Sequence, residues 1–335
     1  MFSVQSPHLI VPFSRCSADA WLATMKALPA DSFKNLDKLL QGMKLEEVDT
    51  GEAHSLSTPH ERVLSKTIGL MGRNAVVDGL IPWAAWAASN AFKASAITEQ
   101  ITEKITGKAW AYITPCHWAM GREHATMTDP AALVITPSES RTLLAAMQPY
   151  FETEGITLHY LAPEQWLAEG ELFRALPTAS LDRVLGRNVD RWLPPSRAMK
   201  LLQNEMQMLL YTHPVNDARS AKGQRSINSF WLSGTGSLNQ ALTSRNPSQA
   251  HLPVPRGLAQ AAFTDDWSAY TQAWQALDRG EVAALLGQQN AGQTVRLTLC
   301  GESNAHTFET APKSLLSKIL SIMKPKPTLM LLEQL

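Results

Sequence analysis

The chain has 335 residues, 44% of them hydrophobic and 18% charged, with 30 Lys plus Arg balanced by 30 Asp plus Glu. That length suffices for two domains or one large one, and the apolar fraction supplies ample core. Without a basic excess to neutralise phosphates, or an acidic excess, no nucleic-acid or other polyelectrolyte partner is expected.

The first 104 residues read as a mostly helical region. Helices are predicted over Ala18 to Leu28, Phe33 to Met43, Arg62 to Leu70 and the Ala-rich stretch Pro82 to Ser95, which holds Trp83 and Trp86. From residue 105 to 335 the pattern is that of an α/β domain, beginning with short β-branched or aromatic runs at Ala109 to Thr114, Ala131 to Ile135 and Ile156 to Leu161. Between the last two runs stands a helix with Thr136 as N-cap, Pro137 in first position and Glu139 completing a capping box. Leu143, Leu144, Met147 and Phe151 give it one apolar face, and Pro149 is expected to end or kink it. Strand, helix, strand predicts a crossover and a mixed or parallel sheet flanked by helices.

Arg183, Arg187 and Arg191 recur every fourth residue and read as a solvated basic face. A further helix is predicted from Ser196 to Thr212 on Met199, Leu202, Met206 and Leu209. A polar loop, HPVNDARSAKGQRS, leads from it to a strand at Ile227 to Leu232 and an SGTGS turn. Trp231 alternates with Phe230 and Leu232, so one face or the other of that strand must be core. Gly236 to Arg256 is rich in Ser, Asn, Pro and Gly and reads as a mobile loop. A helix from Asp265 to Leu277 with Trp267 and Trp274 packed inward, a hairpin of Thr294 to Leu299 with His306 to Glu309, and a final helix and strand complete the chain.

Cys16, Cys116 and Cys300 are scattered without a CxxC pair, which suggests neither a disulfide framework nor a zinc ribbon and fits a reducing compartment. The start MFSVQSPHLIVPFSRC lacks a basic segment leading into a long apolar run, and no apolar stretch approaches the ~20 residues that span a bilayer. A cytoplasmic protein without a membrane partner is expected.

The densest chemistry lies between His213 and Gly236. His213, Asn216, Asp217, Arg219, Lys222, Arg225 and Asn228 crowd into the predicted loop, where arginine forks suit carboxylate or phosphate oxygens. The amides around Gly234 and Gly236 are unhindered enough to approach an anion, although the sequence is neither a Walker loop nor a GxGxxG motif. The same composition also suits an ordinary solvated loop. An arginine on such a loop buries little, so removing Arg219 or Arg225 is expected to spare stability and weaken anion binding. Cys116, His117 and His124 fit no short zinc motif, and His117 reads as a partly buried, satisfied side chain.

The run NEMQMLLYTHPVNDARSAKGQRSINSFWLSGTG, with PCHWAMGREHATMTDPAAL, GITLHYLAPEQWL and LDRVLGRNVDRWLP before it, resembles the RpfE-type regulatory protein family, which is cofactor-independent phosphoglycerate mutase-like. The middle block is also similar to the archaeal-type mutases. The resemblance covers residues 110 to 236. It implies an α/β core partly related to the alkaline-phosphatase/phosphoglycerate mutase superfamily, and it points to Asn216, Arg219, Asn228, Trp231, Gly234 and Gly236. Asn188-Val189-Asp190-Arg191-Trp192 stands where the mutase pattern has Asp-x-Asp-Pro-His, and the Asp-Gly-x-Gly opening and the Gly-Asp-His run are missing. The resemblance therefore implies a regulatory or ligand-binding protein without a metal cofactor or assigned catalytic residues. It would bind a phosphorylated or anionic small molecule, or a protein partner, through His213, Asn216, Arg219, Arg225, Asn228, Gly234 and Gly236. The alternative is an active mutase or related phosphotransfer enzyme using Mn²⁺ or Mg²⁺. A third reading makes residues 1 to 104 an interaction module.

Overall fold

The computed structural model describes residues 6–29, 31–70, 77–94, 107–238, 252–311 and 328–335. Among them the strands are β1 (His8–Val11), β2 (Met43–Asp49), β3 (Ala109–Cys116), β4 (Trp118–Met120), β5 (Ala125–Met127), β6 (Thr157–Ala162), β7 (Gln165–Glu169), β8 (Ser229–Ser237), β9 (Arg296–Cys300) and β10 (Ala305–Thr310). Two compact units emerge, Met1–His54 with Thr58–Leu64 and Ser248–Leu335, and Ser55–Ser57 with Ser65–Pro247. The units do not divide at residue 104, which lies outside the described residues.

The first unit is built on a mixed sheet in the order β1-β9-β10-β2, with β1 parallel to β9 and the other pairs antiparallel. Alternation along β1 and β9 sends Leu9, Val11, Leu297 and Leu299 into a core with Trp21, Leu36, Leu39, Tyr270 and Trp274. Ile10, Cys300 and Ala305 occupy the opposite face with Val63. The N-terminal region is thus not simply helical. The helix Lys34–Gln41 stops before Gly42, and the charged run MKLEEVD continues as an edge strand, exposed from Lys44 to Val48. One ladder, to β10, holds it in place, with Glu46 as an extra residue between the pairs Thr307↔Glu47 and Phe308↔Leu45. Helix Lys34–Gln41 has no side-chain cap of its own, and the buried Asp278 carboxylate accepts from the Asn35 and Leu36 amides instead.

His8 is buried, and its Nε2 lies 2.8 Å from Thr298 Oγ1. Burial, and secondarily the nearby Arg296 charge, pull its pKa down from 6.5 to about 4. The unfolded chain therefore takes up this proton at a higher pH than the folded one. The stability linked to neutral His8 is complete above the unfolded value and is lost as pH falls through the folded one, a loss of about 3 kcal/mol in all. Denaturant unfolding of the parent should weaken more steeply between neutral pH and pH ~4 than that of His8→Asn. Parallel slopes would show that His8 is not held neutral.

The second unit carries an antiparallel sheet in the order β6-β7-β3-β8. The predicted strand at Ala131 to Ile135 is instead a 3-10 turn, Pro130–Leu133, capped by Asp129 and closed by Val134 with φ of 48°. The predicted crossover is therefore absent, and β6 returns directly along β7. Helix Pro137–Thr153 opens with the expected Thr136–Glu139 capping box and runs through Pro149, with Met147 and Phe151 anchored in the core. Together with helix Arg197–Tyr211 it covers the face bearing Ile113, Trp166, Leu158, Phe230 and Leu232. Ala84, Ala85 and Ala88 of helix Trp83–Ala94 cover the other face, over Trp110 and Leu167. The described residues include no helix long and apolar enough to cross a membrane.

Candidate functional site

The segment after Tyr211 is ordered differently from the predicted loop. His213 is an N-cap, its Nδ1 accepting from the Val215 amide at 3.2 Å, and Pro214 occupies the first turn of a helix, Pro214–Ala221. On this helix Asn216 is 5% and Arg219 1% exposed. Asn216 pairs with Ile227 as a neighbouring strand would: its amide oxygen accepts from the Ile227 N–H, and its Nδ2 donates to the Ile227 carbonyl, both at 2.8 Å. Nδ2 also donates to the Leu210 carbonyl. The Asn228 side chain does the same for Trp118, accepting from its N–H at 2.7 Å and donating to its carbonyl at 2.9 Å. These asparagines supply ladder bonds where the chain leaves regular structure, and their amide groups are already engaged.

Arg219 corrects the expectation of an exposed loop cation. Its Nε donates to the Arg225 carbonyl at 2.7 Å, one Nη to the Leu133 carbonyl at 2.6 Å and the other to Glu139 Oε1 at 3.2 Å. Burial tends to raise the Glu139 pKa, but bonds from the Thr136 amide and hydroxyl and from Arg219 outweigh it and hold the carboxyl below its usual range. The local helix-capping device therefore doubles as the acceptor for a distant arginine.

The SGTG run is likewise not a turn leaving a strand. It lies within β8, where the pairs Trp110↔Gly236 and Tyr112↔Ser233 leave one extra residue on β8. Gly234 has φ of 63°, and a Cβ there would meet Tyr112 Cδ2 at 2.9 Å and Trp83 Cβ at 3.1 Å. Gly236, at φ of 134°, packs against Pro82. Gly234 admits the first residue of helix Trp83–Ala94 and Gly236 the Leu80 to Pro82 segment before it, rather than leaving an open cradle.

The predicted basic stripe is not solvated throughout. Arg183 is buried in the short helix Leu181–Val184 and donates through Nη2 to Ser55 Oγ and the Ser57 carbonyl, and Gly186 turns the chain at φ of 69°. Cys116 is fully buried, which pushes its thiol far above the usual range and suits packing rather than nucleophilic attack. Among the described residues no group of three or more His, Cys, Asp or Glu gathers as a metal site.

One polar constellation does reach solvent. The Thr128 amide donates to the His117 carbonyl at 3.0 Å, and Arg225 Nη1 donates to Thr128 Oγ1 at 3.0 Å. His117 Nδ1 sits 2.8 Å from the Ser226 carbonyl. Because a carbonyl only accepts, this contact places a proton on Nδ1, which in the neutral ring leaves the lone pair on Nε2. The bonds thus tie His117, Thr128, Arg225 and Ser226 into one ring. Arg225 is exposed, and its other guanidinium N–H groups have no protein acceptor among the described residues. Of the predicted site residues, Arg225 alone keeps free charged donors at the surface. Sequence reasoning missed Thr128 and underrated His117, because nothing local shows that the β4–β5 hairpin folds back onto residues 225 and 226.

No family model and no curated protein matches the chain. Among solved structures, the cofactor-independent phosphoglycerate mutase from Thermoplasma acidophilum DSM 1728 is similar at a TM-score of 0.33 and 11% identity, over 93% of this chain and 91% of that one. The PH0037 protein from Pyrococcus horikoshii is similar at a TM-score of 0.42 and 10% identity, over 92% of this chain and 88% of that one. At this distance neither likeness assigns a fold or an activity.

Proposed function

We propose that the chain is a regulatory or ligand-binding protein that takes a small phosphorylated or carboxylated molecule at Arg225, beside His117 and Thr128. The support is the bonded ring just described, which orients a solvent-facing guanidinium while leaving most of its fork free. A monoprotonated phosphate suits both partners: its charged oxygen would take the Arg225 N–H groups, and its O–H would donate to His117 Nε2, whereas a carboxylate, which has no O–H, would engage Arg225 alone. The reading agrees with the resemblance to the RpfE-type regulatory family and leaves the link to the alkaline-phosphatase superfamily as part of the proposal.

Arg225→Ala should leave the melting temperature within about a degree or two, as for surface substitutions, while weakening anion binding ~10–100-fold. Arg225→Lys should recover only part of the affinity, since an ammonium lacks the planar fork. A thermal-shift screen of phosphorylated and carboxylated metabolites, followed by calorimetry on each hit, checks this. Hits that bind parent and Arg225→Ala equally would refute the site. The same titrations with Mg²⁺ or Mn²⁺ test the enzymatic alternative: metal-dependent interconversion of 3- and 2-phosphoglycerate, abolished in Arg225→Ala, would replace binding by catalysis.

A further inference from the structure

We propose that the first unit holds a second, buried site, in which His8 and Arg296 together bind one compact oxyanion of the carboxylate or phosphate class. The two residues are register partners on the parallel strands β1 and β9, so their side chains leave the same face of the sheet about 5 Å apart. Leu9 and Val11 alternate to the opposite, helix-covered face. His8 is 4% exposed and Thr298 and Thr307 are sealed, and a chain of 2.8 Å contacts runs from His8 Nε2 to Thr298 Oγ1 and on to Thr307 Oγ1.

What remains open in this cluster is specific. His8 Nδ1 and Arg296 Nε are both shut off from solvent and have no hydrogen-bond partner among the described residues. The Arg296 side chain makes no hydrogen bond or ion pair among the described residues, although Glu309 is its register partner on β10. Beyond Glu309, Lys44 is its partner on β2 and pairs with Glu46 at 2.9 Å, a carboxylate that also feels the Arg296 charge without bonding to it. A half-buried guanidinium with a sealed, unpaired donor is costly to the fold unless something accepts from it. One oxyanion between the two side chains would accept from Arg296 Nε–H and His8 Nδ1–H at once.

The hydroxyl chain makes the proposal specific. With the proton on Nδ1, Nε2 accepts from the Thr298 hydroxyl, which accepts in turn from Thr307. Without an anion, the Arg296 charge favours a lone pair on Nδ1 and the reverse direction of the chain. Binding is therefore coupled to a change of His8 tautomer, which a molecule of water in the same place would not require.

The test is a long-range ¹H–¹⁵N correlation spectrum of the full-length protein with labelled histidine, with the His8 signals assigned by their loss in His8→Asn. Sodium formate and inorganic phosphate are titrated separately to distinguish the two anion classes. The expected result is a saturable shift of His8 to the Nδ1–H pattern with at least one of them, weakened about tenfold or more in Arg296→Gln and unchanged in Arg225→Ala. If Arg296→Gln does not fold, the titration of the parent decides alone. No saturable change with either anion would overturn the proposal, as would an equal response in folded Arg296→Gln. Either outcome leaves the Arg225 site untouched.

Discussion

Arg219→Ala is expected to destabilise the protein by about 2–4 kcal/mol, because it removes a buried guanidinium that serves two carbonyls and one partly exposed carboxylate. The substitution would strand the Leu133 and Arg225 carbonyls and remove one of the groups that hold the Glu139 carboxylate. The pair itself can be close to neutral against an apolar replacement, but breaking it from one side leaves polar atoms desolvated and unmatched. Arg219→Lys should recover little, since one ammonium cannot reach three acceptors set around a planar fork. Glu139→Gln should be milder, since Gln keeps an oxygen for the Thr136 cap. The folded Glu139 pKa lies below its usual value, so its stabilisation is present above the unfolded carboxyl range and is lost as pH falls through the folded value. The stability difference between parent and Glu139→Gln, measured by denaturant unfolding, should therefore shrink on acidification. An Arg219→Ala protein as stable as the parent would mean that the side chain is not buried as described.

What the sequence disclosed follows the range of the interactions. The Thr136–Glu139 capping box is visible because its groups lie three residues apart, and the 3.6-residue period of Met199, Leu202 and Met206 announces a buried helix face. The β9–β10 hairpin is legible from two runs joined by polar residues. Arg219, Asn216 and Asn228 look like solvent groups because their partners, Leu133, Ile227 and Trp118, lie on other elements, and a polar side chain that replaces ladder bonds is indistinguishable in sequence from one in water. β2 escaped for the opposite reason: an edge strand exposed along most of its length needs no apolar alternation. At the candidate site the exposed Arg225 was legible, whereas the tie to Thr128 and His117 depends on a hairpin folding across about a hundred residues of sequence.

Trp231→Ala should cost about 3–5 kcal/mol, the usual range for truncating a buried aromatic side chain. Trp231 is 1% exposed on β8 and points away from the face that Phe230 and Leu232 present to the helices Pro137–Thr153 and Arg197–Tyr211. Its Nε1 donates to the Ala179 carbonyl at 3.1 Å, and truncation leaves that acceptor without this donor as well as opening a cavity. Trp231→Phe separates the two effects: it keeps most of the buried area and loses the hydrogen bond, so it should cost about 1–3 kcal/mol. Urea unfolding of parent, Trp231→Phe and Trp231→Ala gives the series, and the ranking parent, Phe, Ala is the expected order. Calorimetry on the folded variants with any anion found for Arg225 should return parent-like affinity, since Trp231 belongs to the packing of the second unit and not to the His117–Thr128–Arg225 ring. A Trp231→Ala variant that unfolds with the parent yet loses the anion would reverse this assignment and make the indole a binding group.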